Sequence, residues 1–173
     1  MPVNKQLLFY INLFGGVVVL GSYAWGFYTH ANASTLLWGG VPGWIQPYYS
    51  MGMLMAALGY FAFTFFVLFR LDPNLIRLFG RYGFSAFNII YTAILLPSAC
   101  WMPLTFLAIE TANLYLYWLV LIILIIVALA SITLLIALLS LSPRLRIRSY
   151  YWAVIGSIFF CLQTALLDAA IWG

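Results

Sequence analysis

Asp168 and His30 have the strongest claim to chemistry in this sequence. Asp168 follows Ser157, Cys161 and Thr164 at spacings of i, i+4, i+7 and i+11. An α-helix brings such positions onto one face, and that face should look into a bundle. An acid in an apolar span is a functional-site hypothesis by default, because its charge costs about 2.5–3.5 kcal/mol at a helix centre in the bilayer. Asp168 lies a few residues from the end of its apolar stretch, so its cost is smaller. Such a face suits ligand or proton handling. It equally suits a structural role, with Asp168 accepting bonds from loop N–H groups or a Trp indole. His30 could ligate a tetrapyrrole, with Glu110, Gln46 or Gln163 as weak additional ligands. No second His or Cys stands at metal-ligand spacing, so His30 is read as an interfacial side chain and no metal site is expected. Nor is there a nucleophile–base pair, a phosphate loop or an HExxH-type motif. The expectation is a protein that is not an enzyme, and no cofactor is named.

These side chains must be positioned by elements of an unusual kind. The chain has 173 residues, of which 66% are hydrophobic and only 6% charged, with a mean hydropathy of +1.10. Soluble domains carry about 25% charged residues. Seven basic and three acidic side chains are too few to solvate a globular surface, so the bilayer is the expected partner. A spanning helix needs about 20 mostly apolar residues. Five stretches meet this, at 6–29, 50–69, 83–109, 114–141 and 150–172. Breaks fall at Asp72-Pro73-Asn74, Glu110-Thr111-Ala112-Asn113 and Ser142-Pro143-Arg144. The expected fold is an all-α integral membrane protein, a single five-helix transmembrane bundle over residues 1–173. Lys5, an apolar run and Ala31-Asn32-Ala33 also resemble a signal peptide, but the run exceeds the usual 7–15 residues and is read as the first span.

Charge sets the expected orientation. Lys5 precedes the first span; Arg70, Arg77 and Arg81 lie between the second and third; Arg144, Arg146 and Arg148 lie between the fourth and fifth. Five spans put all seven on one side, which the positive-inside rule makes cytoplasmic. The N-terminus is then cytoplasmic and the C-terminus outside. The pattern fits a bacterial inner membrane and an organellar membrane equally. The net charge of +4 belongs to these loops and forms no nucleic-acid patch.

A second asymmetry lies at the other end. Trp25, Trp38, Trp44, Trp101, Trp118 and Trp172 fall in the outer half, with Tyr23, Tyr28, Tyr48, Tyr49, Tyr115 and Tyr117. An interfacial belt accounts for such rings, but the inner interface has only Trp152. The competing reading is an aromatic-lined outer cavity. The connection from His30 to Tyr49 carries no formal charge and contains Trp38, Trp44, Pro42, Pro47 and three glycines. It is expected to lie in the interface or fold over the bundle as a lid or plug, since irregular backbone at that depth must be covered by protein or line a cavity.

Packing features complete the reading. Gly52, Ala56 and Gly59 form a small-residue seam for close helix contact. The third span carries Ser85, Asn88 and Thr92 on one face, and Pro97 and Pro103 deprive the carbonyls of Ala93 and Ala99 of their helical donors. The fourth span, Leu/Ile-rich nearly all round, is expected to face lipid. Cys100 and Cys161 are expected as buried thiols packing like small hydrophobes.

Pro42-Gly43-Trp44-Ile45-Gln46-Pro47 and Ser98-Ala99-Cys100-Trp101-Met102-Pro103, within a five-span layout rich in tryptophan, resemble the TspO/translocator-protein family, the tryptophan-rich sensory proteins. This chain has Ser98 where that family usually shows Asn, lacks the fuller proline signature of the first loop, and places that loop on the opposite side. The resemblance implies a pocket for porphyrin-like, sterol-like or other apolar ligands beneath the first connection, with Trp44 and Trp101 in its wall. Trp118 joins them by depth, and His30, Glu110 and Asp168 as polar groups of the same end. The leading expectation is a non-enzymatic membrane protein binding an apolar or aromatic small molecule there. Alternatives are an accessory subunit of a larger membrane complex, with a homo-oligomer among the arrangements, and a small transporter or channel along the Asp168 and Asn88 faces.

Overall fold

The computed structural model describes residues 2–143, 145 and 147–172. Its elements are α1 (Val3–Thr29), a single-turn α2 (Ala33–Leu36), α3 (Gln46–Phe69), α4 (Ser85–Thr111), α5 (Leu114–Leu139) and α6 (Arg148–Cys161). α6 runs on into a π-helical segment, Leu162–Trp172. Among the described residues there is no strand, only isolated bridges pairing Arg77 with Ser142 and Leu78 with Tyr82. Five helices are long and apolar enough to cross a membrane.

Helix boundaries follow local chemistry. α3 begins four residues before its expected start, because Pro47 in the first turn has no N–H to satisfy. α4 and α5 form a tight hairpin. Ala112 turns into the left-handed region at φ 47°, and the Asn113 side chain caps α5 by accepting from the Tyr115 N–H at 2.9 Å. α4 stays helical through Pro97 and Pro103.

Around the bundle the helices neighbour one another in the order α1, α4, α5, α6, α3, with only slight contact between α3 and α1. That last gap is tied by the Tyr60 hydroxyl, which donates to Asn12 Oδ1 at 2.6 Å. Tyr60, Phe63, Tyr91 and Phe160 fill the middle with edge-on rings. The predicted glycine seam is present. A Cβ on Gly156 would lie 2.7 Å from Gly59 Cα, so α3 and α6 touch backbone to backbone. Farther along the seam, Gly52 faces Gln163 and Leu167.

The fourth span, α5, is the most buried of the five, with 44% of its apolar stretch inside the protein, against 6% for α1. One face packs between α4 and α6, while Ile122, Ile125, Leu129, Ile132 and Ile136 stay exposed, in keeping with the expected lipid-facing surface. α1, with Leu7, Phe14, Val17 and Leu20 exposed, is the peripheral helix. One expectation is overturned: Cys100 is not a buried thiol but exposed, and Cys161 is half-buried, both free.

Candidate functional site

The end of the bundle away from the arginines gathers two polar clusters joined by aromatic rings. The first centres on Asp168, carried by the π-helical segment. Its Oδ1 accepts from the Tyr49 hydroxyl of α3 and from Gln163 Nε2 at 2.8 Å. This corrects the face predicted from α-helical spacing. Cys161 and Thr164 do turn to α5, where the Ser131 hydroxyl lies 3.6 Å from Cys161 Sγ and 2.7 Å from Thr164 Oγ1. Asp168 does not continue that line. A π-helix is wider than an α-helix and hydrogen-bonds residues five rather than four apart, which brings Asp168 beside Gln163, its i−5 neighbour, with both turned toward α3. Its donors are therefore Tyr49 and Gln163, not a loop N–H or an indole.

The second cluster centres on His30, the residue closing α1. Its ring stacks on Phe106 of α4, with centroids 3.8 Å apart and planes 6° apart, and Trp25 stands edge-on at 5.5 Å. Nε2 meets Glu110 Oε1 at 2.9 Å, and Nδ1 lies 2.8 Å from Thr29 Oγ1. Both ring nitrogens are thus engaged. The pair clamps the end of α1 to the end of α4. Gly26 makes the approach possible, since a Cβ there would strike Met102 and come within 2.8 Å of the Phe106 ring.

Trp101 stands between the clusters. Its ring packs against Tyr23 at 5.9 Å and Trp172 at 5.8 Å, and it belongs to both apolar groups at this end, one with Phe106 and one with Trp172. The first connection closes over them. The Trp172 indole N–H donates to Leu37 O at 2.7 Å, Val41 is buried, and Trp38 stands edge-on to Tyr49 at 5.6 Å. Gly39, at φ 51°, turns the chain directly over the Trp172 ring. Two buried polar atoms here have no hydrogen-bond partner among the described residues: Trp101 Nε1, a donor, and Gln163 Oε1, an acceptor. Buried polar groups are normally satisfied, so each such atom requires an explanation.

Of the six residues singled out by sequence, His30 and Glu110 meet directly, Asp168 anchors the other cluster, and Trp101 links the two. Trp44 and Trp118 do not join them. Trp44 is 74% exposed in the turn before α3, and Trp118 is 56% exposed. Trp118 lies two positions before Val120, which is buried, and two positions swing a helical side chain roughly to the opposite face. Tyr49, Gln163 and Trp172 complete the site. Only the aromatic bias of this end pointed to the rings, and nothing in an α-helical pattern pairs Gln163 with Asp168. No family model, curated protein or solved structure matches this chain.

Proposed function

We propose that this chain is a non-enzymatic integral membrane protein that binds an apolar or aromatic small molecule (a lipid, sterol or tetrapyrrole-like compound) at its outer end. The observation that carries the reading is that an aromatic end roofed by an uncharged connection holds, among the described residues, a buried donor without a partner, Trp101 Nε1, and a buried acceptor without one, Gln163 Oε1. A ligand with an apolar body and polar groups that donate and accept could satisfy either atom. The Asp168 carboxylate beside Gln163 adds an acceptor, because both of its hydrogen bonds land on Oδ1 and leave Oδ2 for a ligand. Entry requires the connection around Leu37 and Trp38 to lift from Trp172 and Tyr49. A kinship with the TspO/translocator-protein family belongs to the same proposal, supported by the position of Trp101 beneath the first connection; Trp44 lends it no support.

The orientation, N-terminus cytoplasmic and C-terminus outside, is part of the proposal. Its support is that Lys5, Arg70, Arg77, Arg81 and Arg148 share one end, where Arg77 and Ser142 exchange two backbone hydrogen bonds of 2.8 and 3.0 Å. Arg144 and Arg146 lie outside the described residues. The accessory-subunit or homo-oligomer reading draws on α1, where a Cβ on Gly16 or Gly21 would meet nothing within 4 Å.

Tryptophan fluorescence in detergent tests the binding reading. Titration with a porphyrin or a sterol should quench saturably, and Gln163→Leu should weaken the response by about tenfold, the value of one buried hydrogen bond of about 1.4 kcal/mol. A panel of porphyrins, sterols and lipids without a saturable response would sink the proposal. Equal affinity in Gln163→Leu would remove Gln163 from the site.

A further inference from the structure

A groove of about 710 Å³ opens on the lipid-facing flank of the opposite, basic end, between the second half of α3 and the start of α6. Its wall is apolar, built from Leu58, Phe61 and Phe65 of α3 and Trp152 of α6, and its mouth carries Arg70 and Arg148. We propose that this groove holds one anionic phospholipid, with an acyl chain along the wall and the phosphate between the two guanidinium groups.

Three observations carry this. The first is charge. Neither Arg70 nor Arg148 makes an ion pair among the described residues. Asp72, the acid closest to Arg70 in the chain, instead accepts from the Asn74 N–H at 2.9 Å. Two uncompensated guanidinium groups at one mouth favour a phosphate, which Arg recognises through paired N–H donors. The second is depth. Twelve residues separate Leu58 from Arg70 along α3, about 18 Å at 1.5 Å per residue, close to the roughly 15 Å of one leaflet's hydrocarbon. The wall therefore reaches from the interface to about the midplane, as an acyl chain does. The third is the rim. Trp152 sits one turn beyond Arg148 and is 64% exposed, the placement of an interfacial ring beside a headgroup, and the Arg70 guanidinium lies 5.6 Å over the Phe65 ring at the junction of wall and mouth. Basic pockets between helices at the positive side of a membrane protein bind anionic headgroups on these terms. The site shares no residue with the outer-end cluster and does not depend on ligand binding there.

Native mass spectrometry of the full chain in detergent, with added phosphatidylglycerol or phosphatidylcholine, tests the proposal. One phosphatidylglycerol per chain should be retained in preference to phosphatidylcholine. The R70Q/R148Q double variant should lose about 30-fold in affinity, as expected for removing two basic contacts to an anionic surface. Ala62→Trp, which fills the groove without altering charge, should also lose the bound lipid. It carries the test if the double variant fails to fold. Equal loss in R77Q/R81Q would overturn the proposal in favour of diffuse surface charge. Retention of phosphatidylglycerol in Ala62→Trp would overturn the acyl groove, and so would displacement of the lipid by inorganic phosphate at comparable concentration.

Discussion

At the scale of single residues, the Asp168 cluster separates an acceptor's role from a charge's. Asp168 Oδ1 receives both the Tyr49 hydroxyl and Gln163 Nε2, and either donor left unpaired in an apolar surround is costly. Asp168→Asn keeps an oxygen at that place and should leave thermal stability close to wild type. Asp168→Leu orphans two donors and should cost about 1–3 kcal/mol. Thermal unfolding in a single detergent, followed by fluorescence, measures both. If the Asn variant is as weak as the Leu variant, the negative charge, rather than the acceptor, holds the cluster. Asp168 also marks how far residue types alone can be read. An acid near a span end is visible in sequence as a polar anomaly, but its partners depend on helical period. Thr164, only two residues into the π-helical segment, still reaches Ser131 as the α-helical spacing predicts, while Asp168, four residues further along that segment, has lost the register. Sequence patterns assume one period for a whole helix, so they cannot place a residue beyond the point where the period changes.

Among the elements, the α3–α6 contact is the tightest constraint. A Cβ on Gly59 would meet the Gly156 backbone, with Cα at 2.9 Å. Backbone cannot rotate away as a side chain can, so the two helices must separate. Gly59→Ala should therefore destabilise the protein by about 1–3 kcal/mol, the usual range for overpacking. Gly16→Ala meets nothing within 4 Å and should match or exceed wild type, because alanine favours a helix over glycine by about 0.8–1.0 kcal/mol. Equal unfolding temperatures for the two variants would mean that the seam is not close-packed in the bilayer or the detergent. The seam was legible because small residues at spacings of three and four have few uses in a membrane other than close approach. The surroundings of α5 were legible only in part. Lipid and protein interior are both apolar, so the unbroken Leu/Ile surface of α5 fits either, and its central place between α4 and α6 emerges only from packing. The peripheral position of α1 was hidden for the same reason, since its mean hydropathy of 1.8 is close to the 1.9 of the last span.

For the whole molecule, the five spans and the two unlike ends were legible, because charge and apolar length are properties of composition along the chain. The order of helices around the bundle was not, since it rests on side-chain fits such as Tyr60 to Asn12 and His30 to Glu110 that join residues far apart in sequence. The two ends differ in what holds them. At the basic end, backbone bonds between Arg77 and Ser142 join two loops, while at the other an uncharged connection caps aromatic rings. A membrane reads this difference through the energetic cost of moving arginine across it, and the positive-inside rule predicts that the loop holding Arg77 faces the cytoplasm. Single thiols can check this. With Cys100 and Cys161 replaced by alanine, Asn74→Cys should react with a membrane-impermeant maleimide only after the cells are opened, and Thr111→Cys should react in intact cells. Asn74 lies in a turn of the connection between α3 and α4 and Thr111 at the end of α4, both away from the tightly packed seam, and their side chains are exposed. Labelling of both in intact cells would break the five-span count itself. Reversal of the two would keep the fold and turn it over, placing the arginine groove in the outer leaflet and the Asp168 cluster on the cytoplasmic side.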